Sequence, residues 1–323
     1  MPATSVYLFA LDVPGFGVAH VRVLAAGESH VTPDATGSRP FIGPVASLPV
    51  VVLLNGAGSA PEHLQWLGIR LAQAGFAAIS FGLLQRIGPT VTWSPRVDIG
   101  AAGPTSDGHT PPCPVLVPLF AALAADGRCT SLDLTAPILF GHSAGGSVAL
   151  LSAQRRQLEA VNSVVTYGAH LVASSTSGRV TGSITPTLAG RVLVIGGGVD
   201  GVVARAISDG RYGTDVTQES LLVRTVEEGC PRAGWVAAVQ LASAGHFACT
   251  NGYDGIGSSG HLEPNATDVD QQDRDAIGDL VVEFCRLSAG RPSAIDNLLA
   301  NHQVSAHSSM RAQTLFHRRP QDG

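Results

Sequence analysis

The run TAPILFGHSAGGSVALL, Thr135 to Leu151, decides how this chain is read. Its first half contains PILF, an apolar run too short for a helix and suited to a buried strand, and its second half, SVALL, continues as a helix. Between them stand Gly141, His142, Ser143, Ala144, Gly145 and Gly146. A strand that turns at once into a helix with one side chain at the apex puts that residue in a strained conformation with little room around it. Glycine two positions before and two after Ser143 relieves the crowding, and Gly146 and Ser147 let the helix stay close to the sheet. Ser143 then stands exposed above the sheet, with the Ala144 amide beside it at a helix start, a place to hold an oxyanion. By itself the pattern also fits a Gly-rich turn with an incidental serine, so its partners decide.

A serine hydroxyl is a poor nucleophile near neutral pH and needs a base within hydrogen-bond reach, itself oriented by a buried acid. Asp200 closes the apolar run RVLVIGGGVD, and His246 follows AAVQLASAGH. Both fall after later strands, in the order Ser, Asp, His, so Ser143, Asp200 and His246 are the expected triad. A second oxyanion donor belongs in the loop after PVVVLL, where Asn55, Gly56, Ala57 and Gly58 stand; the Ala57 amide is the choice, because Gly56 lets the chain turn. Asn55, Gly56, His142 and His170 are candidate pocket residues. His142 adjoins the nucleophile and either lines the pocket or packs against the sheet, and His170 ends VVTYGAH near the mouth. Asp209 and Asp215 read as solvated.

The rest of the chain supplies the frame. SVYLFAL and VAHVRVLAAG, separated by DVPGFG, predict an antiparallel pair at the N-terminus. PVVVLL predicts a buried parallel strand, and Ser59 to Glu62 a capping box opening a helix that runs to Gly75. FAAISF, PILF, SVVTYG, RVLVIGG and WVAAVQL read as further strands. PVLVPLFAALAAD, SVALLSAQRR and DVDQQDRDAIGDLVVEFCRL read as helices. This alternation predicts a mostly parallel sheet with helices on both faces and ligands at the carboxyl ends of the strands. Residues 84–112 and 173–188 break the rhythm as loop or lid-like segments. One domain is expected over residues 1–290, with 291–323 a loosely packed extension.

Composition narrows the class. The 323 residues are 45% hydrophobic and only 14% charged, which describes a well-filled core. All 20 basic residues are arginine, so lysine chemistry is excluded, and their scatter at a net charge of −5 leaves no nucleic-acid footprint. No stretch is apolar for long enough to span a membrane, and the N-terminal run reads as a strand rather than a secretory signal. The five cysteines have no metal-type spacing and read as buried thiols of a cytoplasmic protein, a bridge between Cys230 and Cys249 being the lesser alternative. The histidines form no metal-ligand arrangement, and neither metal nor cofactor is expected.

Between about Val50 and Leu287 the chain resembles the α/β-hydrolase superfamily. LLNGAGSAPEHLQWLGIRLAQAGFAAISF, GHSAGG and LVIGGGVDGVV followed by SAGHF look most like its branch of dienelactone hydrolases, chlorophyllases and polyester hydrolases. Ser143 stands where dienelactone hydrolases carry cysteine, and Asn55 where many relatives have histidine. The resemblance implies an α/β-hydrolase fold and a cofactor-free serine esterase acting on a small ester, lactone or thioester. An acyltransferase or lactone-forming cyclase could use the same triad, and a non-catalytic ligand-binding protein could retain the same fold.

Overall fold

The computed structural model describes residues 4–26, 47–57, 59–87, 90–94, 113–153, 158, 160–187, 189–251, 271–301 and 312–319. The expected N-terminal pair is present: β1 (Thr4–Val13) and β2 (Gly17–Ala26) run antiparallel. Gly15 and Gly17 take φ of 80° and 84° in the turn between them, a backbone that disfavours any side chain. Then follow β3 (Leu48–Leu54), β4 (Ala77–Ile87), β5 (Thr90–Ser94), β6 (Leu132–His142), β7 (Ser163–Tyr167), β8 (Arg191–Gly197), β9 (Trp235–Leu241) and β10 (Ala312–Arg318). They form one sheet in the order β1-β2-β4-β3-β6-β7-β8-β9-β10, with β5 paired to β4. From β4 through β9 every neighbouring pair along that order is parallel, and the flanking pairs are antiparallel.

The apolar runs are continuous because the central strands are buried on both faces. On β3, Val50, Val52 and Leu54 pack into one core, and Val51 and Leu53 into the other. The first core is covered by α2 (Leu116–Ala125), α3 (Ala144–Ser152) and α5 (Gln218–Glu227) through Leu119, Val148 and Leu222. The second is covered by α1 (Gln65–Gln73) and α6 (Gln271–Ser288), through Leu67, Leu71, Ile277 and Phe284. Pro118 sits in the first turn of α2, where no intrahelical donor is lost. A further helix, α4 (Gly201–Ser208), follows β8.

Three expectations change. The capping box at Ser59 to Glu62 does not form: Pro61 opens a 3-10 turn ahead of α1, Ala60 precedes it with no side-chain cap, and Glu62 pairs with Arg22 at 2.7 Å. The segment 84–112 is not all loop, since β4 continues to Ile87 and β5 returns antiparallel beside it; residues 95–112 lie outside the described part. The described parts of the tail, residues 291–301 and 312–319, are packed rather than loose. Helix α7 (Ile295–Asn301) buries Ile295 and Leu299, and β10 adds to the sheet beside β9 with Ala312 buried. The cysteines are all buried and unbridged, and burial pushes the Cys113, Cys129 and Cys230 thiols up to about 12.

Candidate active site

Ser143 sits at the junction of β6 and α3 with φ 53° and ψ −125°, one of two non-glycine residues with positive φ among those described. Its amide donates to the Tyr167 carbonyl at 2.9 Å, and its carbonyl accepts from Gly146 at 2.9 Å. The flanking glycines are required by contact. A Cβ on Gly141 would lie 2.4 Å from the carbonyl oxygen of Gly145, and one on Gly145 would lie 2.4 Å from those of Leu54 and Asn55. The turn is therefore wedged directly against the end of β3. Ala144 is the first residue of α3, so its amide is one of the helix's donors with no intrahelical acceptor.

Asp200 follows β8 and caps α4, accepting from the Val203 amide at 2.8 Å through Oδ1. Its second oxygen, Oδ2, lies 2.8 Å from His246 Nδ1. Because an ionised carboxylate only accepts, Nδ1 carries the proton and donates, leaving Nε2 as an acceptor. Nε2 lies 2.9 Å from Ser143 Oγ, so the serine hydroxyl donates to it. Asp200 and His246 are 2% and 3% exposed, which removes most competition from water along this chain of bonds. The three residues expected to converge, separated by up to 103 positions, do so.

The loop carrying His246 is held from below by two side chains at neighbouring strand ends. The Tyr167 hydroxyl, from β7, donates to the Gly245 carbonyl at 2.6 Å. His142, the last residue of β6, donates through Nε2 to the His246 carbonyl at 2.9 Å. Burial, with the nearby His246, lowers the His142 pKa from 6.5 to about 3, so its ring is a neutral donor. Phe247 closes the side of the loop, its ring edge-on to that of His246 at 5.1 Å.

A cavity of about 670 Å³ opens beside Ser143, between α3, the segment after β7 and α4. Ser143, Ala144, Gly168 and His246 form its reactive end. Residues 173–177, within the stretch read as a loop or lid, supply one wall; the amide of Ser175 ties that wall to the Arg211 carbonyl at 2.7 Å. Of the expected pocket residues, only His170 lines this cavity, its ring edge-on to Tyr212 at 4.7 Å, and burial lowers its pKa to about 4. His142 and Asn55 are buried behind the site instead, and Gly56 backs it, with a Cβ there falling 3.2 Å from Ser143 Cβ. The reason is geometric: adjacent side chains at a sharp turn diverge, so with Ser143 facing the cavity, His142 turns to the loop that carries His246 and Phe247. Ala57 is exposed in the turn that follows Gly56.

Asp209 and Asp215 are exposed, and the carboxylate that meets the imidazole is that of Asp200. His30, His261, His302 and His307 lie outside the described residues. Among the described residues, no group of three metal-binding side chains assembles, and no helix is long and apolar enough to cross a membrane. Tyr167, Gly168, Val202, Val203 and Tyr212 escaped the sequence reading. The one signal for the first four is position, because each lies at the end of a central strand or in the segment that follows one; Tyr212, beyond α4, has none. No protein-family model matches the chain, and no curated protein matches it either.

Proposed function

We propose that the protein is a serine hydrolase of the α/β-hydrolase fold that cleaves carboxylic esters through an acyl-enzyme. The observation that carries this reading is the unbroken pair of hydrogen bonds from Ser143 through His246 to Asp200. The strand-to-helix turn at Ser143 and the chain order Ser, Asp, His support the same fold family.

In this mechanism Ser143 Oγ attacks the ester carbonyl carbon while His246 Nε2 takes the hydroxyl proton. Asp200 holds the imidazole in the required tautomer and stabilises the imidazolium. The tetrahedral oxyanion is met by the Ala144 amide and, from the loop after β3, by that of Ala57; one such donor is worth ~2.7–4 kcal/mol in the transition state. Collapse expels the alcohol, which takes the proton from His246. Water, giving its proton to the same nitrogen, attacks the acyl carbon, and the second collapse releases the acid and restores the serine hydroxyl.

Labelling with a fluorophosphonate probe tests this. Stoichiometric modification of Ser143, with p-nitrophenyl butyrate turnover abolished in parallel, is the expected result. An unlabelled, folded protein without esterase activity overturns the reading.

A further inference from the structure

The cavity beside Ser143 has a composition that the reaction itself does not explain. Its lining is apolar apart from the reactive end, a few hydroxyls, His170 and Tyr212, and three arginines: Arg179, Arg205 and Arg211. Among the described residues no aspartate or glutamate lines it, in a chain whose net charge is −5. Arg205 and Arg211 are exposed, so the cationic groups stand on the solvent side and Ser143 toward the interior. Among the described residues no acidic side chain lies within ion-pair distance of Arg205. Among the described residues the Arg211 guanidinium pairs with Asp209 at 3.2 Å, and because both side chains are nearly half exposed that pair holds it weakly.

The helix between these ends is equally telling. α4 has no buried residue, although Val202, Val203 and Ala206 form an apolar face. That face is turned to the cavity rather than to either core, so it lacks the apolar cover that normally stabilises an amphipathic helix. Arg205 is on the same helix, five residues from the Asp200 cap, which is about 7.5 Å along the axis. An apolar path thus leads from the reacting atoms to a cationic mouth.

Resting on the esterase reading of Ser143, we propose that the substrate is an ester whose acyl chain ends in an anion, a carboxylate or a phosphate. The chain lies along Val202, Val203 and Ala206, and its terminal oxyanion is held by Arg205 and Arg211 with Arg179. Guanidinium forks suit either oxyanion, and like-signed groups around a partly enclosed cleft concentrate anions there.

The test compares p-nitrophenyl monoesters of dicarboxylic acids, from glutarate to suberate, with their methyl-capped diesters of equal length, and a matching chain ending in phosphate. The expected result is a kcat/KM for at least one anionic series about tenfold above its capped partner at low salt, shrinking as salt is added. Which series leads distinguishes carboxylate from phosphate. The double variant Arg205→Gln, Arg211→Gln is expected to bring the anionic-to-capped ratio near one, and the corresponding lysine variant to keep part of it. Equal or better turnover of capped esters by the wild type, or an undiminished ratio in the glutamine variant, overturns the proposal while leaving the esterase reading intact. A protein that hydrolyses neither series and resists the fluorophosphonate overturns both.

Discussion

The imidazole of His142 donates to the backbone carbonyl of His246 at 2.9 Å, so one histidine sets the position of another without touching the cavity. His142 is a positioning residue in this arrangement. Replacing it with leucine removes the donor and leaves a buried carbonyl unpaired, and His246 Nε2 shifts relative to Ser143. The expected outcome is a roughly 10- to 100-fold fall in kcat with KM little changed, since displacements of about 1 Å carry that cost. His142→Asn, which keeps a donor, is expected to recover part of the loss. Steady-state kinetics on a p-nitrophenyl ester checks both, and Tyr167→Phe should act in the same direction through Gly245.

Ser143→Ala is expected to lower kcat by at least about 10³-fold while leaving the urea midpoint within experimental error. The alanine inherits the same positive φ, so the strained turn is neither relieved nor worsened. Unchanged turnover removes Ser143 from the mechanism.

Asp200 both orients His246 and caps α4, and one substitution separates the two roles. Asparagine retains an oxygen for the Val203 amide but cannot fix the imidazole tautomer. Asp200→Asn should therefore lose roughly 10⁴-fold in kcat with little change in stability. Asp200→Ala should add a loss of about 1 kcal/mol from the missing cap, read from urea denaturation.

Two buried imidazoles make stability depend on pH. Burial lowers the pKa of His142 from 6.5 to about 3 and that of His170 to about 4. The unfolded chain takes up these protons near pH 6.5 and the folded chain only near 3 to 4. Their contribution is thus fully present above pH 6.5 and is lost as pH falls toward 4. Each group adds a slope of up to about 1.4 kcal/mol per pH unit in that window. Urea denaturation at pH 7, 6 and 5 is expected to show the decline, with a shallower slope in His142→Asn.

Gly141→Ala tests the wedge between β6, α3 and β3. The new Cβ would meet Gly145 backbone at 2.4 Å, and backbone cannot swing aside as a side chain can. A destabilisation of about 3 kcal/mol is expected, at the upper end of overpacking costs. A melting temperature equal to that of the wild type would contradict this packing.

Much of this architecture is legible in the chain because burial imposes simple patterns. β3, β8 and β9 read as unbroken apolar runs since both their faces are covered, and the glycines around Ser143 are spaced by the close approach just described. β10 escaped for the opposite reasons. QTLFHR is only partly buried, and a bulge between Thr314 and Phe316 breaks its alternation. Tyr167 and Arg205 look ordinary in sequence, because what they do depends on groups brought close only by the sheet, such as the carbonyl of Gly245, 78 positions away from Tyr167.

The pairing of β10 with β9 also orders events during biosynthesis. A chain emerging N-terminus first completes β9 and the His246 loop long before Ala312–Arg318 has left the ribosome. Until that ribbon arrives, the outer rim of β9 presents unsatisfied amides and carbonyls to any passing strand. The nascent protein therefore ripens in two stages: the segment that shields it from sticking to its siblings follows β9 in the chain, and a ribosome stalling near residue 301 would leave a molecule with its triad encoded and its flank bare.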